Sequence, residues 1–429
     1  MTYLIFLLIF VIFIYFIIKY RVNGFIYLIV FMLPFRFEIF SISGIGIRIT
    51  DILSMFYIAI WLFTVLLGYI KKSDIKLLSP ILIFLIIVVF GFLINAFRFS
   101  SISNMIDLIR LILALITGIA IGSNIKDRSN LIILFKTWAV SATLSSAISI
   151  FFFFSNGYSI TTLLNLNILS VVEFYSIKFS NSVFFEDPNN LASYLLVSIF
   201  ITIGLSVDNY FKYKYKYLFL AIQILGLVLT LSRSAYLAAG ITVIIYLFAH
   251  KITNYKWLLL KIGLIFIILV NSFSLINSVN SVLNSDLSVL SRSGLWQVGL
   301  NMSISNPFLG VGIGNSSIVF NQYISSSLVL YNPHFHNLFL TISAEIGLIG
   351  LIYFISIFFK HLYKWSRSTD KLYIFLCLGL ISYLIQSLGV EYFASRHFWI
   401  FVPLLILYSS PKFKGRMHNG VSIGTTPSI

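Results

Sequence analysis

The sequence predicts an all-α polytopic membrane protein, and three observations carry that prediction. The 429 residues are 59% hydrophobic and only 10% charged, with a mean hydropathy of +1.00. A soluble domain of this size cannot hide so much apolar surface. The apolar residues fall in repeated runs of about 17–22, the length that crosses the hydrocarbon core of a bilayer. Lys and Arg concentrate in one alternating set of connections, the distribution that sets sidedness in helical membrane proteins.

Spanning helices are expected near 2–18, 24–35, 51–70, 78–95, 107–122, 131–154, 189–207, 217–231, 234–249, 257–272, 337–359, 371–389 and 397–409. The second is short and has Pro34 at its end, so the count is 12–13 transmembrane helices. The first run, Tyr3 to Ile18, has no basic residue before it and no small-x-small site after it. It reads as a retained helix. The chain divides into a bundle of ten helices (1–271), a long outer loop (272–336), three last helices (337–410) and a disordered cytoplasmic tail (411–429). The single Cys377 excludes an internal disulfide framework and offers no metal cluster. The net charge of +16 has no compact basic domain behind it, so nucleic acid is not its explanation.

One set of loops holds 21 of the 29 Lys and Arg and only four acids. These loops are expected to be cytoplasmic. On that set, 17 of the 21 are Lys; on the opposite face, seven of eight are Arg. Topology signals accept either residue. A guanidinium is favoured where a planar fork must hold phosphate or carboxylate oxygens. The outer face therefore reads as more than an orientation signal, although arginines also anchor at head groups.

The polar stretch from Asn271 to His336 interrupts the apolar runs and gathers the residue types that chemistry needs. Ser232-Arg233-Ser234 sits in a tight outer hairpin, where a charge is costly and usually functional. Arg292 opens an amphipathic helix to Ser305, with Leu295, Val298, Met302 and also Leu300 on its apolar side. Asn306-Pro307 ends it. Such a helix is expected to lie on the outer membrane surface with Trp296 at head-group depth. The glycines of Pro307-Phe308-Leu309-Gly310-Val311-Gly312-Ile313-Gly314 lack the strand–helix context of a dinucleotide fingerprint. They read as a tight re-entrant turn. His334 and His336 precede an apolar helix that Asn337 can cap. A neutral imidazole at that boundary can take a proton from a sugar hydroxyl. A third metal ligand is not evident. Glu345, about two turns in, needs a partner, which Arg233 or Arg292 could supply. Asp187 or Asn189 can cap the helix behind Pro188, or can bind sugar. Asp107 and Arg110 read as a local ion pair, with Arg110 a further candidate for substrate binding.

In this order the pieces resemble the O-antigen ligase and O-antigen polymerase superfamily of bacterial membrane glycosyltransferases. The resemblance rests on Ser232-Arg233-Ser234, on Arg292 with Trp296, and on Asn306-Pro307-Phe308-Leu309-Gly310-Val311-Gly312. It is completed by His336-Asn337-x-x-Leu340 and Glu345-Ile346-Gly347-Leu348-Ile349-Gly350. It implies a GT-C-like fold and a metal-independent transfer, without cofactor, at the periplasmic face of the inner membrane. The implied donor is a glycan on undecaprenyl diphosphate, and the acceptor is a sugar hydroxyl on a second repeat unit (polymerase) or on lipid A–core (ligase). The polymerase is the first reading. The resemblance assigns Arg233 and Arg292 to the diphosphate and His336 to the base; His334, Asn337, Glu345 and Trp296 are the further candidates for substrate binding, and a chain-length regulator is a candidate partner. A lipid-linked oligosaccharide flippase is the rival from another class. It would need a polar cavity reachable from both faces.

Overall fold

The computed structural model describes residues 23–35, 38–42, 45–96, 102–159, 187–211, 213–249, 287–324 and 334–414. The helices expected near 2–18 and 257–272, the start of the long loop, Phe185 and Glu186, and residues 415–429 of the tail lie outside the described residues. The described elements begin with α1 (Asn23–Phe31), a hairpin of β1 (Glu38–Ile42) and β2 (Ile45–Arg48), and α2 (Ile49–Leu66). Next come α3 (Lys72–Lys76), α4 (Ser79–Ala96), α5 (Ile102–Asn124), α6 (Arg128–Ser155) and α7 (Pro188–Val207). Then follow α8 (Tyr213–Leu229), α9 (Arg233–Ala249), α10 (Leu287–Ser305), α11 (Ser316–Val319) and α12 (Leu338–Lys364). The last are α13 (Lys371–Gln386), α14 (Arg396–Tyr408) and α15 (Pro411–Lys414).

This is an all-α polytopic membrane protein. Among the described residues six helices are long and apolar enough to span a bilayer, and α9, α13 and α14 are shorter apolar helices. The expected boundaries hold to within a few residues for most of them. Helix α1 stops at Phe31 rather than 35, in a turn just before Pro34. Helix α12 runs five residues past the expected 359, to Lys364, where lysines can keep their charge in water while their stems stay against apolar surface. The tail expected to be disordered from 411 starts with one helical turn whose Phe413 is buried. The hairpin was not expected. It pairs Glu38 with Arg48 and Ile42 with Ile45, and the Glu38 carboxylate lies over Gly46.

Small residues let the helices approach closely, as they must where lipid gives no hydrophobic drive between them. Helix α7 packs along α13, with Gly204 against Leu372 and Phe375 and Gly379 against Phe200 and Val197. Helix α5 crosses α14 where Gly118 meets the Trp399 carbonyl and the Pro403 ring. Any side chain at 118 would displace that backbone. Gly118→Val should therefore destabilise the protein by about 1–3 kcal/mol through overpacking. Gly240→Ala, where nothing stands in the way, should be neutral or stabilise the helix by up to about 1 kcal/mol. Thermal unfolding of both variants in detergent checks the contrast.

Polar groups within the bundle pair with each other, because lipid offers them nothing. The Trp138 indole donates to Ser198 Oγ at 2.9 Å. Gln223 donates to Thr143 Oγ1 at 2.9 Å and to the Ala139 carbonyl at 3.0 Å, and accepts from Thr202 at 3.1 Å. This ladder joins α6, α7 and α8. At one end of the bundle Arg128 pairs with Asp370 at 3.3 Å, and both bond to Tyr408. That cluster ties α6, α13 and α14 together at the end that carries the Lys-rich connections. The candidate site occupies the other end.

Candidate active site

The site is built on a break in α12. At Gly347 the backbone leaves the helical region (φ 79°, ψ 179°), and the turn after α10 docks into the gap. Val311 N–H donates to the Ala344 carbonyl and Gly312 N–H to the Glu345 carbonyl, both at 2.9 Å. In return Leu348 N–H donates to the Pro307 carbonyl at 2.7 Å. The turn needs glycine at Gly310 (φ 63°) and Gly312 (φ 90°), where the backbone is left-handed. At Gly310 a Cβ would also collide with the Glu345 backbone. The tight re-entrant reading of this motif thus stands. The interlock places Glu345 on the inner wall of the site, where its Oε1 accepts from Ser316 Oγ at 2.6 Å. The partner expected for Glu345 was an arginine. The partner found is a hydroxyl carried by the same turn.

The second part is the segment His334 to Asn337, which enters α12. Asn337 caps the helix, accepting from Phe339 and Leu340 N–H at 3.1 Å, as its place before an apolar run foretold. Leu338 N–H donates to the Ser387 carbonyl at 2.9 Å, tying the entrance to the end of α13. Phe335 is fully buried and stacks on Phe320, ring centroids 6.4 Å apart. The histidines on either side of it turn outward. His336 is left-handed (φ 52°), and its N–H donates to Glu391 Oε2 at 3.1 Å. His334 Nδ1 lies 3.6 Å from the other oxygen of Glu391. One carboxylate therefore holds both histidines.

The two imidazoles titrate in opposite directions. Glu391 raises the His334 pKa above the ordinary histidine value, against the effect of burial. Burial lowers the His336 pKa, and the positive charge of Arg292 lowers it further. His336 is consequently neutral at neutral pH, the form that accepts a proton.

This segment contributes to the walls of two spaces. One is a polar cavity of about 590 Å³, walled in part by Arg48, Asp107, Arg110, Asp187, Glu345 and Glu391. The second is an apolar groove of about 620 Å³, walled in part by Trp296, Leu300, Ile304, Phe339, Leu348 and Leu388. His334 lines the cavity and Asn337 lines the groove. His336 lies between them in the chain. Three of the seven arginines expected on the outer face, Arg48, Arg110 and Arg396, line the cavity, and no lysine does. Arg396 is tied to Asp51 and Thr50.

The structure brings together Arg292, His334, His336 and Asp187, whose charges act on His336. Arg110 acts on Asp107 across the cavity wall. Asp187 both caps α7, accepting from Asn189 N–H at 2.7 Å, and lines the cavity. Asn189 spends its side chain on Asp187, and its neighbour Asn190 reaches the cavity instead. Arg233 is exposed at the start of α9 and is not a wall of the cavity. Its neighbour Ser234 packs on Gly389, two residues before Glu391. Trp296 belongs to the groove. Helix α10 departs from expectation: Leu295, Val298 and Met302 are buried against the protein and do not face the membrane. Glu391 was not among the residues the sequence singled out, and Asn190 stood in the Phe185–Asn190 motif without a role of its own. An acid in the short connection between two apolar runs was the available signal for Glu391. Among the described residues no group of three His, Cys, Asp or Glu is arranged to hold a metal.

Residues 218–355 match the family model described as O-antigen ligase. A Rickettsia conorii protein provisionally named a polysaccharide ligase is 28% identical over 137 residues, covering 28% of this chain and 32% of that protein. The chain thus spans about a third of the length of the curated relative it matches. Fold and comparisons together define a multi-pass membrane protein in which residues 218–355 are similar to the O-antigen ligase family. The matched stretch contains Arg233, Arg292, Trp296, His334, His336, Asn337 and Glu345.

Proposed function

We propose that this chain is a membrane glycosyltransferase that moves a glycan from a polyprenyl diphosphate to a sugar hydroxyl, on the outer face of a bacterial inner membrane. One observation carries the reading: the short segment that holds His336 puts His334 into the wall of a polar cavity and Asn337 into the wall of an apolar groove. That arrangement fits an amphiphile whose saccharide and lipid tail meet at a diphosphate. Carboxylates, an amide and hydroxyls in the cavity suit sugar hydroxyls. His336 takes the proton of the incoming hydroxyl, whose oxygen attacks the anomeric carbon of the donor. The bond to the diphosphate breaks, and its electrons go to a phosphate oxygen. Arg292, and Arg233 by the resemblance, stabilise the charge that builds there. A single displacement inverts the anomeric centre and needs neither an enzyme nucleophile nor a metal.

The polymerase reading, in which the acceptor is a second repeat unit, rests on resemblance alone, since a Phe-, Ile- and Tyr-rich chain is typical of that group. The family description and the relative's name favour the ligase reading, with lipid A–core as acceptor. The polar cavity lies at one end of the bundle, which favours either over a flippase. Glycan profiling of a deletion strain tests the proposal. Single repeats on core identify a polymerase, and bare core with lipid-linked polymer identifies a ligase. An unchanged profile overturns both.

A further inference from the structure

Helix α10 does not lie flat across the end of the bundle. From Gly299 onward it runs beside α12 in the same direction. Gly299 abuts Leu340, Ser303 Oγ lies 2.9 Å from Ser343 Oγ, and the Pro307 carbonyl accepts from Leu348 N–H. Each step along α10 is matched by a similar step along α12. Helix α12 is one of the membrane-spanning helices and is entered at Leu338. At the helical rise, Leu348 lies roughly 15 Å along it, about half the hydrocarbon thickness of a bilayer.

Three further observations agree. No charged residue or histidine occurs from Ser293 to Ile324, although the stretch belongs to a loop expected to be polar. The backbone from Gly310 to Asn315 is buried, and its N–H groups at Val311 and Gly312 pair with α12. Non-helical backbone at membrane depth is tolerated only under such cover. Finally, the side of α10 and its turn that borders the groove beside α12 is apolar and exposed. Trp296 (38% exposed), Leu300 (53%), Ile304 (75%) and Phe308 (72%) follow one another every fourth residue. This stripe is continuous, across the groove, with the exposed Leu348 of α12.

We propose that α10 and the turn after it form a re-entrant hairpin immersed in the half of the bilayer at the site end, with Trp296, Leu300, Ile304 and Phe308 against the hydrocarbon chains of the lipids. The proposal replaces the flat surface helix that the sequence suggested. It stands on the packing of α10 alone and holds whatever reaction the site performs. In this arrangement Arg292, one turn before Trp296, stays near head-group level. The apolar groove opens sideways into lipid, so an amphiphile reaches His336 from the membrane rather than from water.

The single Cys377 is fully buried, which makes the test direct. In the full-length chain with Cys377→Ser, single cysteines at 300, 304 and 308 are spin-labelled in proteoliposomes, with Ser293→Cys as the reference. The ratio of oxygen accessibility to nickel-chelate accessibility should rise several-fold from 293 to 308. Nickel access at 304 and 308 equal to that at 293 would put the hairpin in water and overturn the proposal. Shielding from both probes would mean that protein, for example a second copy, covers the stripe, and would overturn it equally. A diazirine-bearing phospholipid applied to the unsubstituted chain gives the same answer without any substitution. Peptides spanning 296–308 should carry the label, and their absence from the labelled set would count against the hairpin.

Discussion

Changing His336 to alanine should lower glycan transfer by at least about 10²-fold while the protein still inserts and unfolds at a similar temperature. The structural cost is small because the bond that places this residue is made by its backbone: His336 N–H donates to Glu391 whatever the side chain is. The residue is left-handed, with φ at 52°, a conformation that costs alanine roughly 1–2 kcal/mol but that asparagine tolerates. His336→Asn is therefore the sharper variant. It keeps the turn and removes the base. A purely structural histidine would be replaced by asparagine with activity kept, and that outcome would remove His336 from the chemistry. In the native enzyme the acid limb of the rate should fall below the ordinary histidine pKa of about 6.5, because burial and Arg292 both disfavour the imidazolium. A limb above that value would mean that another group titrates.

Some of this was legible in the sequence because the signal is local. Asn337 stands directly before an apolar run, and Asp187 directly before a proline that starts a helix. Each forms the cap its position foretold. The glycines of residues 310–314 announced a turn, since only left-handed backbone needs them. The orientation of α10 was not legible. It is apolar on two sides, through Leu295, Val298 and Met302 and through Trp296, Leu300 and Ile304, and periodicity cannot say which side meets protein. The partner of His336 was hidden for a different reason. Glu391 lies 55 residues along the chain, and it comes back where the start of α12 bonds to Ser387 at the end of α13. The break at Gly347 was hidden because a glycine in an apolar run also serves as a small packing residue, as Gly118 does.

Arg292 should separate charge from geometry. Arg292→Lys keeps the positive charge but loses the planar fork, and transfer should fall on the order of 10²-fold, the cost of losing one donor to a developing oxyanion. Its acid limb should stay where it is. Arg292→Gln loses the charge as well. The sign follows from the titration: Arg292 opposes protonation of His336, so removing its charge raises the imidazole pKa. Transfer needs the neutral ring, so the limb then moves to higher pH. The movement recovers only part of the depression, because burial is the larger cause. Glu391→Gln should do the reverse. Its carboxylate favours the imidazolium, and the amide oxygen of glutamine can still accept from His336 N–H, so the limb moves to lower pH with the turn intact. Residual turnover across pH measures all three variants. Opposite shifts from the arginine and the glutamate place the titrating proton on an imidazole between them. Shifts in one direction, or none, would mean that the base is another residue.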